Sequence, residues 1–258
     1  MAKPNKRKKP QPTPTQGQER LYGKHSIKAV VLQRPKDVVR ILIAGKPEFY
    51  DDLIEAAHQR GIDVFTVPWP EFEKVGRFGA DDKHQGIMAF VKPRRIYGDG
   101  DLDRLKNAKC VLLLDQVSNP QNLATILRSA GFFGAQAVVY MKNRAATPTP
   151  EVVRFAVGGA EFIDLYCITN LSKTMDALQD IGFQVLGMDE RGTGTLADFD
   201  LTQPTAFVIG AEGEGLRPKT RDHCSDLVRI PGGRRGLESL NAAVAATVAL
   251  YEYARLRG

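Results

Sequence analysis

Apolar residues in this chain fall into short unbroken blocks separated by longer stretches with helical spacing, a pattern that predicts alternating strands and helices. In the first third, 27–32 reads as a helix, 38–43 as a strand, and 49–59 as a helix ended by Gly61. Two further strands follow at 62–67 and 87–91. Strand, helix and strand within about 30 residues make a βαβ unit, the connection that parallel strands require. The stretch after it is polar, carries Gly98 and Gly100, and reads as a linker.

The second half repeats the alternation on a larger scale. Strands are expected at 111–114, 137–140, 165–168, 185–188, 206–209 and 227–230. Helices are expected at 123–133, in part of 148–160, at 171–181 and at 241–257. Such alternation implies an α/β domain, an open parallel sheet with helices on both faces. The division that results is a disordered basic tail (1–18), a small α/β unit (19–93), a linker (94–107) and a larger domain (108–258).

Charge changes this picture less than it first suggests. The net charge is +6, which favours a polyanionic partner. However, Lys3, Lys6, Arg7, Lys8 and Lys9 supply +5 of it, in a tail without acids. That tail suits nonspecific phosphate contact or simple solubilisation equally. A hydrophobic content of 43% is ordinary for a globular protein, and no apolar run approaches the roughly 20 residues of a membrane span. No secretory signal pattern opens the chain, and the Lys/Pro tract lacks the amphipathic Arg/Ser pattern of a presequence. The three cysteines, Cys110, Cys167 and Cys224, are far apart and odd in number. They suit neither a disulfide framework nor zinc; reduced thiols, a cytoplasmic location and no metal are expected.

Three polar segments stand where hydrophobic runs end, the place an α/β fold offers to ligands. In the first, Asn119 caps a helix that Pro120 opens, and Leu123, Ile126, Leu127 and Ala130 form its buried stripe. Asn122 falls in the first turn and Arg128 on the wet side, an arrangement suited to a phosphate or ribose, or to a plain capped surface helix. In the second, an apolar strand runs into Gly210-Ala-Glu212-Gly-Glu-Gly215. This has neither dinucleotide nor Walker spacing, and is a ligand loop or a flexible turn. Its glutamates favour a ligand with a cationic centre. In the third, Ile230-Pro231 leads to Ser239-Leu240-Asn241 and an almost wholly apolar helix. Ser239 suits a helix cap, whereas Asn241 before such a helix is harder to explain by folding alone.

Taken in order, Asn122…Arg128, Gly210-x-Glu212-Gly-x-Gly215 and Ile230-Pro231…Ser239-Leu240-Asn241 resemble the three motifs of the SpoU (TrmH-like) RNA ribose 2′-O-methyltransferases of the SPOUT class. The resemblance covers 110–258, including Thr147-Pro-Thr-Pro150 to Ala160. The words Tyr22-Gly-Lys-His-Ser and His84-Gln-Gly-Ile87-x-Ala resemble the small ribosomal-protein-like substrate-binding domain of the same enzymes. The pairing is most similar to bacterial enzymes that make 2′-O-methylguanosine in large-subunit ribosomal RNA.

This resemblance implies a deep trefoil knot in the C-terminal domain, a homodimer, and S-adenosylmethionine as cofactor. Gly210, Ile230 and Leu240 would cradle the cofactor, with Gly187 on a neighbouring loop. Arg128 would lie at the acceptor ribose with Asn122, Glu212, Ser239 and Asn241 around it. A ribose 2′-hydroxyl would attack the sulfonium methyl, with Arg128 stabilising the developing alkoxide rather than acting as base, since a guanidinium holds its proton to above about pH 12. Ala124, Gly232 and Ala242-Ala243 depart from the family's usual Gly, Met and Val-Ser, and Arg234-Arg235 is unusual. The alternatives are a transfer-RNA 2′-O-methyltransferase and a noncatalytic RNA-binding protein with a vestigial cofactor site.

Overall fold

The computed structural model describes residues 17–79, 83–232 and 239–257. The basic tail up to residue 16 and the Arg234-Arg235 loop lie outside these described residues. The chain forms two compact units, 1–94 and 95–258.

The first unit is a four-stranded sheet in the order β1-β4-β2-β3, built from β1 (Glu19–Tyr22), β2 (Val38–Ala44), β3 (Val64–Val67) and β4 (Ile87–Val91). β2 and β3 are parallel, as the βαβ pattern requires, whereas β4 runs antiparallel to both β1 and β2. Its helices are α1 (Lys24–Gln33), α2 (Asp51–His58) and α3 (Trp69–Gly76). The helix expected over 49–59 begins later, because Pro47–Tyr50 winds first as a 3-10 turn. β1 and α3 escaped the sequence reading: one is only four residues, and the other opens on Trp-Pro.

In the second unit seven parallel strands stand in the order β7-β6-β5-β10-β8-β11-β9. They are β5 (Cys110–Leu114), β6 (Ala137–Met141), β7 (Asp164–Ile168), β8 (Gln184–Met188), β9 (Gly194–Thr195), β10 (Thr205–Ile209) and β11 (Asp226–Arg229). β5 and β10, side by side in the centre, are buried at every residue. That is why they read as unbroken apolar runs rather than alternating ones.

Among the described residues of this unit the α-helices are α4 (Pro120–Phe133), α5 (Pro150–Phe155), α6 (Leu171–Asp180), α7 (Pro218–Asp222) and α8 (Ala242–Arg255). Leu171, Met175 and Leu178 of α6 join Val111, Leu113, Val139 and Val208 in one core cluster. α4 packs against α8, and α8 also against β10. α4 follows its sequence signals: the Gln121 N–H donates to the Asn119 side chain at 2.8 Å, and Gly134 ends the helix in a left-handed conformation.

The expected linker is not one. Asp99–Asn107 winds as a 3-10 helix with Leu105 buried, and belongs to the second unit. Tyr97 stacks on Tyr166 at 5.0 Å, and Asp99 accepts hydrogen bonds from the backbone and hydroxyl of Thr169. Leu102, Leu105 and Tyr97 are spaced too irregularly to signal this packing beforehand. No helix among the described residues is long and apolar enough to cross a membrane.

Candidate active site

The loops that follow β8, β10 and β11 meet the start of α8 around a cavity of about 310 Å³. Met188, Ile209, Val228, Ile230 and Leu240 give it apolar walls; Asp189, Glu190, Glu212 and Glu214 outnumber Arg191 among its charged lining residues. This is the carboxyl edge of the parallel strands, where open α/β sheets bind ligands. The volume lies at the lower end of what small-molecule sites enclose.

Gly210 is required by a close approach. A Cβ there would stand 2.3 Å from the carbonyl carbon of Gly215. The loop closes on itself through paired hydrogen bonds between Ala211 and Gly215, at 3.1 and 3.0 Å. Any larger residue at 210 would force this loop open and push Glu212 away from α8.

Asn241 knits the three motifs together. Its Oδ1 accepts from the Ala243 and Val244 N–H groups (2.9 and 3.3 Å), capping α8. Its Nδ2 donates to Asn122 Oδ1 on α4 at 3.1 Å and to Glu212 Oε1. The puzzle of a polar residue before a greasy helix is thereby answered: the same amide starts α8 and ties it to two other segments. Asn122 is buried, and its Nδ2 has no hydrogen-bond partner among the described residues. A buried amide donor without an acceptor is uncommon in native proteins.

The structure thus gathers Gly210, Glu212, Ile230, Ser239 and Leu240 around the cavity and ties Asn122 and Asn241 to its rim through Glu212. Two expected residues stand apart. Gly187 is inside β8, one residue short of the cavity wall; a Cβ on it would meet Cys224, Leu227 and Leu216 at 2.7–2.9 Å, so its visible role is packing. Arg128 is exposed on α4, without a hydrogen bond or ion pair among the described residues, and does not line the cavity. Six residues carry it about 9 Å along the helix axis from Asn122 and round to another face.

Two acids escaped the sequence reading. Asp115 is wholly buried just past β5 and accepts from Arg217 Nε at 2.7 Å and from the Arg217 backbone N–H at 3.1 Å, with Arg217 Nη2 at 2.6 Å. It anchors the far end of the 210–217 loop to the central strand. Asp189 on the cavity wall is also buried; it accepts from the Arg191 N–H at 2.9 Å and lies 3.6 Å from Arg221. Nothing in the sequence pairs Asp115 with an arginine 102 positions away. Among the described residues no group of His, Cys, Asp and Glu side chains gathers as a metal site.

Residues 109–251 match the SpoU rRNA Methylase family, and 20–97 match a domain described as RNA 2′-O ribose methyltransferase substrate binding. The chain belongs to the SpoU rRNA methylase family. Among its relatives in that family is the 23S rRNA (guanosine-2′-O-)-methyltransferase RlmB of Pseudomonas syringae pv. tomato, 36% identical over 245 residues that cover 93% of this chain and 96% of the relative. The SpoU methyltransferase AviRb from Streptomyces viridochromogenes superposes with a TM-score of 0.74 at 26% identity, covering 93% of this chain and 90% of AviRb. A structure of AviRb in complex with the cofactor AdoMet superposes at 0.72 and 28%, covering 93% and 91%.

Proposed function

We propose that this protein transfers a methyl group from S-adenosylmethionine to the ribose 2′-hydroxyl of a guanosine in large-subunit ribosomal RNA. The observation that carries the reading is the Asn122–Asn241–Glu212 cluster, which ties the three family motifs into one hydrogen-bonded group at the cavity rim. The family membership and the relatives named guanosine-2′-O-methyltransferases support the same substrate.

S-adenosylmethionine supplies a methyl group activated by a positive sulfur. The residues present suit it: Gly210, Ile230 and Leu240 form a cradle, and three exposed carboxylates, Glu190, Glu212 and Glu214, favour a cation there. Gly187 serves through the packing that sets Met188 in the wall. Asn122 backs Asn241 from inside α4, Asn241 holds Glu212 in place, and Ser239 orients the substrate from the rim. Positioning of this kind supplies much of a transfer's acceleration.

The protein works as a cytoplasmic homodimer in this reading. Phe132 is 81% exposed, and Phe155, Phe162, Val244 and Tyr251 are exposed on α4, α5, the turn after it and α8. So many bare apolar side chains on elements that pack together suit a subunit interface. Arg128 lies one helical turn from Phe132 on the same face. A second copy seated there encloses it at the seam, where it acts as the cation that stabilises the developing alkoxide. The second unit is also a trefoil knot. Support comes from 189–204, which leaves β8, forms β9 on the far side of β11 and returns to β10, so that the connection crosses β11 twice.

Mapping ribose methylation on ribosomal RNA from cells with and without the protein tests the reading. One large-subunit guanosine is expected to lose its 2′-O-methyl group; an unchanged methylation map would overturn it.

A further inference from the structure

The sheet of the first unit gathers four turns at one end. Strand register sets Tyr22 opposite Met88, Ile43 opposite Ile87, and Ala44 opposite Val67. The turns at Gly23–Lys24, Gly45–Tyr50, Pro68–Trp69 and 83–86 therefore lie together, beyond the carboxyl ends of the parallel strands β2 and β3. Phe49 and Trp69, both within these turns, are 68% and 46% exposed.

Trp69 is held rather than loose. A Cβ on Gly45 would stand 3.2 Å from its Cζ2 and Nε1, and one on Gly86 3.0 Å from its Cη2, so the ring packs closely on both glycines. Its edge meets Phe72 at 5.8 Å and His84 at 6.0 Å, and His84 stacks on Phe78 at 4.2 Å. Gln85 takes the left-handed conformation at φ 57°, immediately before Gly86 at φ 75°. A non-glycine residue held there is a strain that often accompanies a working site. The turns are also tied to one another. Lys24 N donates to Gln85 Oε1 at 2.9 Å, Lys24 Nζ to the Phe49 carbonyl at 3.0 Å, and the Tyr50 hydroxyl to the Gln85 carbonyl. Lys24, Lys46 and Lys83 outnumber Glu48, the single acid among the described residues of these turns.

We propose that this end of the sheet binds an unpaired nucleobase of the RNA substrate, stacked on Trp69 with Phe49 as a second platform and the lysines near its phosphates; the inference rests on the reading that the protein acts on RNA. Rigid aromatic faces beside cations recognise splayed-out bases in RNA, because every base offers a π-face.

Trp69 is the sole tryptophan of the chain, so its fluorescence reports the site alone. Titration of the full protein with a large-subunit ribosomal RNA transcript is expected to quench that emission along the same isotherm as filter binding, whereas a blunt RNA duplex leaves it unchanged. Trp69→Ala and Phe49→Ala are each expected to weaken transcript binding about tenfold or more, and Trp69→Phe by about threefold or less. Affinity for S-adenosylmethionine should not move in any of them. Phe49→Ala removes an exposed ring, so a loss there is not a folding defect. Transcript binding with unquenched emission, or at unchanged affinity in Trp69→Ala and Phe49→Ala, would overturn this inference and leave the methyltransferase reading standing. Failure of the unaltered protein to bind the transcript at all would overturn both.

Discussion

Asn241 does two separable things, and substitutions can divide them. Replacement by alanine removes the cap of α8 and should cost about 1–2 kcal/mol of stability, read from urea unfolding. Asn241→Ser keeps a capping oxygen but loses the amide that reaches Asn122 and Glu212. Its stability is expected to stay close to that of the unaltered protein. Methyl transfer should fall about tenfold or more, since a hydrogen bond to a charged group contributes about 1.5–3 kcal/mol. The residue is legible in the sequence because a polar side chain before an almost wholly apolar helix needs a reason; its partners are not, because hydrogen bonds across 119 and 29 positions leave no local trace.

Cysteine chemistry belongs to the same scale. Burial pushes the thiols of Cys110 and Cys224 up to about 12 from an ordinary 9.0. The folded state therefore binds these protons more tightly than the unfolded chain does. That contribution to stability is complete below pH 9.0 and fades as pH rises towards about 12. Alkylation at pH 8, followed by mass spectrometry, should label both residues far more slowly in native than in unfolded protein.

At the scale of elements, the two ends of the 210–217 loop are fixed differently: one by the close contact of Gly210 with Gly215, the other by the buried Asp115–Arg217 pair. The pair is asymmetric, with the carboxylate wholly buried and the Arg217 side chain 37% exposed. Arg217→Ala abandons a charge in the core and is expected to cost about 3–5 kcal/mol. Asp115→Asn leaves a guanidinium that water can still reach and should cost less, so unfolding midpoints for the two variants should separate clearly. Legibility varied among elements for physical reasons. α4 announced itself through Asn119, Pro120 and the stripe from Leu123 to Ala130, all local signals. β9 spans only two residues and exists because it pairs with β11, a long-range condition. The 3-10 helix over Asp99–Asn107 reads as a linker because Gly98, Gly100 and three aspartates favour turns, while its burial depends on β7 and α6.

For the whole molecule, the sequence carried the alternation of the main strands and helices and the carboxyl-edge position of the three motifs, but not the short β1, β9, α3 and α7. It did not carry the separation of Arg128 from the cavity, which follows from where α4 points after packing on α8. In the proposed dimer a second copy seated on the apolar face around Phe132 covers Arg128. Phe132→Glu, which puts a charge on that face, should convert a dimer into a particle near 28.4 kDa in sedimentation and depress methyl transfer with it. A dimer of unaltered mass would mean that another face joins the subunits.

The most direct measurement combines purified protein, a large-subunit ribosomal RNA transcript and S-adenosylmethionine with a labelled methyl group, followed by digestion to nucleosides. Label is expected on 2′-O-methylguanosine from a single position and should disappear with Glu212→Ala. Label on a base, label on transfer RNA but not on the transcript, or no transfer at all would contradict the account.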